Sequence, residues 1–207
     1  MSARRLLIEL LAVLAFGCNR TPAEPIAVDP PKTASAETGT PNGSASAKPK
    51  PRCVVPTSET PAPAASAAKT CPKDPQGGPP FAKVAKVSFP DAHASVDVEL
   101  ALSDDETERG LMYRTSMDAG HGMLFAMPEK KEQTFWMHNT CIPLDMMFLD
   151  DDGYVVGILE NVPTLNDDVR SVPCPSSYVL EVNAGWCRQH GVRAGQTAVL
   201  PSVHPAR

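Results

Sequence analysis

The sequence predicts a mainly β domain with two short helices, compact as a β-sandwich or barrel and preceded by a disordered Pro/Ala-rich tether. Three observations predict this. The 127 residues from Phe81 to Arg207 contain several short runs of alternating apolar and polar residues, punctuated by Gly, Pro and Asp. Such runs read as half-buried strands separated by turns. Residues 21–80 hold 14 Pro, 11 Ala, 7 Thr, 5 Ser and 4 Gly, and no aromatic residue at all. A chain of that composition cannot bury enough apolar surface to offset the entropy lost on ordering it. Ahead of both lies Leu6 to Phe16, apolar except at Glu9 and preceded by Arg4 and Arg5.

That first run is shorter than the roughly 18 residues needed to span a bilayer. Its basic start and apolar middle fit an export signal over residues 1–17. It ends in Leu14-Ala15-Phe16-Gly17-Cys18. A small residue directly before a Cys at this place resembles a bacterial lipoprotein processing site, with Cys18 as the acylated first mature residue. Each buried methylene of an acyl chain contributes about 0.8 kcal/mol, so several chains hold a protein on a membrane almost permanently. The expected location is the cell envelope, as a membrane lipoprotein facing the periplasm.

Residues 18–80 are expected to form the tether. Extended at about 3.1 Å per residue, a chain of this length reaches on the order of 190 Å. Cys53 and Cys71 interrupt it. A disulfide between them, closing a local loop, suits an exported chain in an oxidising compartment.

Within residues 81–207 the elements follow in order. Val96, Val98, Leu100 and Leu102 alternate with Asp97, Glu99 and Ala101, which is a strand with one face buried. Ser103 with Glu106 three residues later is a capping box, and it opens a short helix that stops near Gly110. Gly122–Met127 reads as a strand stopped by Pro128, and Thr134–His138 as another. Ile142–Leu149 is apolar on both faces except at Asp145, which marks a central strand. Asp150-Asp151-Asp152-Gly153 is a turn, and Tyr154–Leu159 is the returning arm of a hairpin. Leu165–Pro175 is polar and irregular. Tyr178–Val182 alternates again. Ala184–His190 is a short helix closed by Gly191, and Gln196–Leu200 is a last strand.

Charge narrows the function. The chain carries 19 Lys plus Arg against 24 Asp plus Glu, a net charge of -5. Residues 81–207 alone hold 10 basic and 18 acidic residues, a net -8. A nucleic-acid partner needs a basic face, and this balance argues against one. No Gly-x-Ser-x-Gly, His-Glu-x-x-His, Gly-rich phosphate loop or Cys-x-x-Cys occurs, and nothing in the sequence points to a cofactor.

Five stretches carry a resemblance. Glu108-Arg109-Gly110-Leu111-Met112-Tyr113-Arg114 begins it and Gly122-Met123-Leu124-Phe125 continues it. Its centre is Phe135-Trp136-Met137-His138-Asn139-Thr140 followed by Ile142-Pro143-Leu144-Asp145-Met146. Tyr178-Val179-Leu180-Glu181-Val182-Asn183-Ala184-Gly185-Trp186 closes it. Over nearly all of residues 90–200 the chain resembles the prokaryotic family known as domain of unknown function 192. The resemblance implies a compact, mainly β fold and no established activity. Members usually carry Lys where this chain has His138, and an ordinary residue where it has Cys141.

The candidate chemistry is limited. Asp145 sits in an apolar strand, where an unpartnered carboxylate is costly to bury. Arg109 and Arg114 are its candidate partners, either in a buried ion pair or at a pocket mouth. Trp136 and Trp186 are the only two tryptophans. Beside Asn139 and Asp145 they suggest a platform for a carbohydrate or peptide ligand, with core or rim packing in a small barrel as the simpler role. The leading expectation is thus a binding or interaction module for a small molecule or envelope partner. A second is a soft-metal binder, because His138, Cys141 and seven Met between 112 and 147 lie close in sequence, and thioether, imidazole and thiol suit copper(I). Core filling is the simpler role for those methionines. A third is an enzyme with Asp145 as acid or base. Cys174 with Cys187 forms the second expected disulfide, tying the irregular loop to the second helix and leaving Cys141 free.

Overall fold

The computed structural model describes residues 51–77 and 83–205. The export signal and Cys18 lie outside the described residues.

Strand β1 (Val84–Phe89) and strand β2 (Ala94–Ala101) form a hairpin, joined by a 3-10 turn at Pro90–Ala92. Helix α1 (Asp104–Arg109) follows. Its capping box forms as the sequence requires: Ser103 Oγ accepts from the Glu106 amide at 3.3 Å, and Glu106 accepts from the Ser103 and Leu102 amides at 3.0 and 2.8 Å. Those amides hold the Glu106 carboxyl below its ordinary pKa. Gly110 ends the helix at φ 45°, a conformation that favours glycine. The chain then runs through β3 (His121–Lys131), β4 (Phe135–Met137), β5 (Leu144–Leu149), β6 (Val155–Val162), β7 (Asn166–Arg170) and β8 (Ser176–Asn183) to helix α2 (Trp186–Gln189).

Six strands make one sheet in the order β1-β2-β3-β8-β5-β6, and β4 pairs with β7 in a separate two-stranded sheet. Within the larger sheet only β2 and β3 run parallel, and the connection between them contains α1. The larger sheet does not close into a barrel. Instead residues 195–199 lie against both its edges, with backbone bonds to Val155 and Gly153 on one side and to Ser88 on the other. The expected strand Gln196–Leu200 is therefore two isolated bridges, Tyr154 to Thr197 and Ser88 to Val199.

Both faces of the six-stranded sheet are buried. On one face Met123, Phe125, Met146, Phe148 and Val179 pack under Leu111, Met137, Val172 and Cys174. On the other Val98, Leu124, Met147, Leu180 and Val182 pack under Trp186, Cys187, Val192 and Ala198. Every residue of β5 is buried, as an apolar run flanked by two paired strands should be.

Two expectations need correction. Residues 51–77, expected as part of the free tether, belong to the same compact unit as the β domain. They lie along it as a strap. The Val55 amide bonds the Val156 carbonyl at 2.8 Å, the Ala194 amide bonds Thr57 Oγ1 at 2.8 Å, and the Ala68 amide bonds the Cys141 carbonyl at 2.9 Å. Such contacts hold a segment that its own composition could not order. They also lay the strap beside β6, an edge strand of the larger sheet.

The disulfides differ as well. Cys53 pairs with Cys174 and Cys71 with Cys141, each with Cα atoms 5.6 Å apart. Neither expected pair, Cys53–Cys71 or Cys174–Cys187, forms. Cys174 and Cys187 lie on opposite faces of the sheet, so the sheet itself separates them. Cys187 is a buried free thiol whose pKa is pushed up by burial and by the neighbouring Asp145. Cys141 and Cys174 each anchor the strap.

Candidate functional site

A cleft of about 580 Å³ opens between α1, β4 and the end of the strap. Its walls include Glu108, Arg109, Tyr113, Trp136, His138 and Asn139, with Pro75 and Gln76 from the strap. The Trp136 indole is 46% exposed, because β4 has only β7 beside it. It lies 5.2 Å from the His138 ring, and His138 Nδ1 sits 2.8 Å from Asp167 Oδ1.

Two residues of this cleft adopt left-handed backbone conformations, Tyr113 at φ 65° and Asn139 at φ 51°. They hold one another: the Tyr113 amide donates to the Asn139 carbonyl at 2.8 Å, and Asn139 Nδ2 donates to the Tyr113 hydroxyl at 3.0 Å. Such strain in a bulky residue is uncommon and concentrates at functional sites. Arg109 forms the next part of the wall. Its guanidinium donates to Asp74 and to Gln76 Oε1, each at 2.6 Å. The Gln76 amide and then Arg109 keep the Asp74 carboxyl below its ordinary pKa. Arg109 Nε is buried without a hydrogen-bond partner among the described residues.

Adjoining the cleft is a smaller chamber of about 180 Å³, sharing Glu108, Arg109, Met112 and Trp136 with it. Phe125, Phe135 and Met127 line the chamber, together with Glu181 of β8. Glu181 is 4% exposed. It projects on the face of Val179, between Met123 of β3 and Met146 of β5 in the register. Among the described residues its carboxyl has neither a hydrogen bond nor an ion pair, and burial alone raises its pKa to about 8.

The sequence-predicted site residues separate into two groups. Arg109, Trp136 and Asn139 meet at the cleft. Arg114, Asp145 and Trp186 do not. Arg114 forms a two-pronged pair with Glu99 of β2, at 2.5 and 2.7 Å. Trp186 is buried in the opposite core, stacked on His190 at 4.3 Å. Asp145 is fully buried and pairs with neither arginine. Its carboxylate accepts from the Asn161 amide at 2.9 Å and from the Gly185 and Cys187 amides at 3.0 Å each. That arrangement satisfies the first turn of α2 and leaves Asp145 no route to the cleft as an acid or base. The soft-metal set also fails to assemble: the Cys141 sulfur is in a disulfide, and Met137 and Met146 are core residues. The acidic turn is bound internally, with Asp150 Oδ1 accepting from the Asp152 and Tyr154 amides at 3.0 Å.

The residue that sequence reasoning missed is Glu181. Its place in an alternating strand marks it as the solvent-facing partner of Leu180 and Val182, whereas β8 is covered on both faces. Tyr113 and the strap residues Asp74 and Gln76 carried no sequence signal for the cleft.

The fold and site define a small, mainly β domain of uncharacterised activity, its larger sheet covered on both faces. Residues 86–200 match the family model for domain of unknown function 192, described as "Uncharacterized ACR", and the chain belongs to that family. Two solved structures are similar. One is a candidate transcription regulator from Sinorhizobium meliloti 1021, 36% identical with a TM-score of 0.55, the match covering 59% of this chain and 97% of that one. The other is a protein of unknown function from Novosphingobium aromaticivorans, 30% identical with a TM-score of 0.55, covering 56% of this chain and 85% of that one. No curated protein matches the chain.

Proposed function

We propose that the chain is an exported, lipid-anchored binding module of the cell envelope, whose α1–β4 cleft holds a small polar ligand against Trp136. One observation carries this reading: a half-exposed indole faces the Arg109 guanidinium and the strained, hydrogen-bonding Tyr113 and Asn139 across a cleft of about 580 Å³. Concave sites that combine an aromatic surface with a few convergent polar groups are typical of ligand binding. The two disulfides support export, since such bonds persist in oxidising compartments. Cys18 at the end of the apolar run supports acylation and a membrane partner. The regulator description belongs to the Sinorhizobium protein, and the net charge of -8 over residues 81–207 suits no nucleic acid.

Saturation-transfer NMR of the disulfide-bonded protein against monosaccharides, amino acids and organic amines tests the cleft. The expected result is at least one ligand whose signal disappears in Trp136→Ala. Binders indifferent to that substitution, or no binders, would overturn the reading. Mass spectrometry of protein taken from its own membranes tests the anchor, with an acylated Cys18 at the N-terminus as the expected species and an unmodified chain as the contrary one.

A further inference from the structure

Glu181 is 4% exposed and its carboxyl pairs with nothing among the described residues, whereas nearly all buried polar groups in native cores are satisfied. Glu181 faces a chamber rather than packed side chains, so a partner for it can come from outside. The surroundings define that partner. The chamber is aromatic, with Phe125, Phe135 and Trp136 contributing. Aromatic faces attract cations and do not attract anions. From α1 the charged groups facing the chamber are Glu108 and Arg109. Arg109 is already neutralised by Asp74 at 2.6 Å, and the cleft rim adds Asp105 and Glu106. β3 and β5 present Met123 and Met146 beside Glu181 in the register, and β4 presents Phe135, so none of the three adds charge. The local field is therefore negative, and an anion would meet the acidic groups Glu108 and Glu181 with no unpaired cation among the described residues.

We propose that Glu181 is the recognition carboxylate for an organic cation, an alkylammonium or guanidinium group that enters the chamber through the Trp136 cleft. This rests on the cleft being a ligand site and names the ligand's chemistry. In the empty protein at neutral pH the carboxyl carries its proton, since burial places its pKa at about 8. Binding exchanges that proton for the cation: the Glu181 O–H breaks, the proton leaves to solvent, and the carboxylate pairs with the incoming positive charge. Affinity for a permanently charged ligand consequently rises as pH increases towards 8, then levels off. A neutral ligand that accepts a hydrogen bond from the protonated acid shows the opposite slope.

Isothermal titration of the disulfide-bonded protein with choline, butylammonium and methylguanidinium, in buffers of different ionisation enthalpy, measures this directly. The uncharged carbon isostere of choline is the control. The expected result is a cation preferred at least tenfold over the neutral isostere, with close to one proton released per cation at pH 7. Glu181→Gln, which keeps the shape of the protonated acid, should lose the proton release and most of the affinity. Equal binding of the isostere, no proton release, or an unchanged Glu181→Gln would overturn the proposal, as would failure of all three cations to bind at millimolar concentration. If the cations fail while other Trp136-dependent ligands bind, the cleft reading survives and the Glu181 assignment falls. If Trp136→Ala changes nothing for any ligand, both fall.

Discussion

Asp145 and Glu181 are both buried carboxylates on adjacent strands, one register position apart, and the sheet gives them opposite environments. Asp145 of β5 points to the α2 face and accepts three backbone amides. Glu181 of β8 points to the α1 face and accepts none among the described residues, while its pKa is raised to about 8. Burial alone therefore does not define a functional acid. The three amides make Asp145 part of the fold, fixing α2 to the strand beneath it. Glu181 contributes nothing comparable, and the chamber in front of it gives it another use.

The comparison breaks most sharply at Asp145. Asp145→Ala leaves three amides without their acceptor, each costing about 1–3 kcal/mol when buried. We expect a loss of roughly 3–5 kcal/mol in urea unfolding, with fast amide exchange at Gly185 and Cys187. Glu181 should behave in reverse. Its pKa rises from an ordinary 4.5 in the unfolded chain to about 8 in the fold. The native state thus binds more protons between those values, and stability falls as pH rises through that window. At 1.36 kcal/mol per unit the loss amounts to roughly 4 kcal/mol by pH 8. Glu181→Gln should remove that slope, so that the variant is the more stable protein at pH 8 and above, as read from paired unfolding curves at each pH.

Two smaller effects sharpen the contrast between scaffold and site. Replacing Cys71 and Cys141 together by Ser should cost about 2–4 kcal/mol by thermal unfolding. It should also free Asp74 and Gln76 from Arg109, seen as protease cleavage within residues 71–77. Trp136→Ala should change stability by no more than about 0.5 kcal/mol, because the indole is nearly half exposed. Its effect belongs to binding.

Much of the scaffold was legible because local chemistry and global structure agree. Ser103 and Glu106 announce α1, the alternation from Val96 announces β2, and the unbroken apolar run from Ile142 announces β5 with Asp145 as its exception. β7 was not legible. Asn166-Asp167-Asp168-Val169-Arg170 has no buried face, and the strand exists because β4 supplies its hydrogen bonds. β1 escaped notice because only Val87 and Phe89 of its six residues are buried. The site was half legible. Arg109, Trp136 and Asn139 lie within the recognisable pattern, but Glu181 looks like any polar residue opposite Leu180 until β8 is seen to be covered twice. Disulfide pairing could not be read at all, since it depends on which face of the sheet each Cys occupies.

The outer wall of the cleft is borrowed from a segment outside the part of the chain that matches the family. Cys71 staples that segment to the domain only a few residues before Asp74 and Gln76 reach Arg109. A newly made chain with reduced thiols would own the inner chamber but lack a finished entrance. The Cys71–Cys141 bond thus fixes the cleft's outer wall as well as the strap.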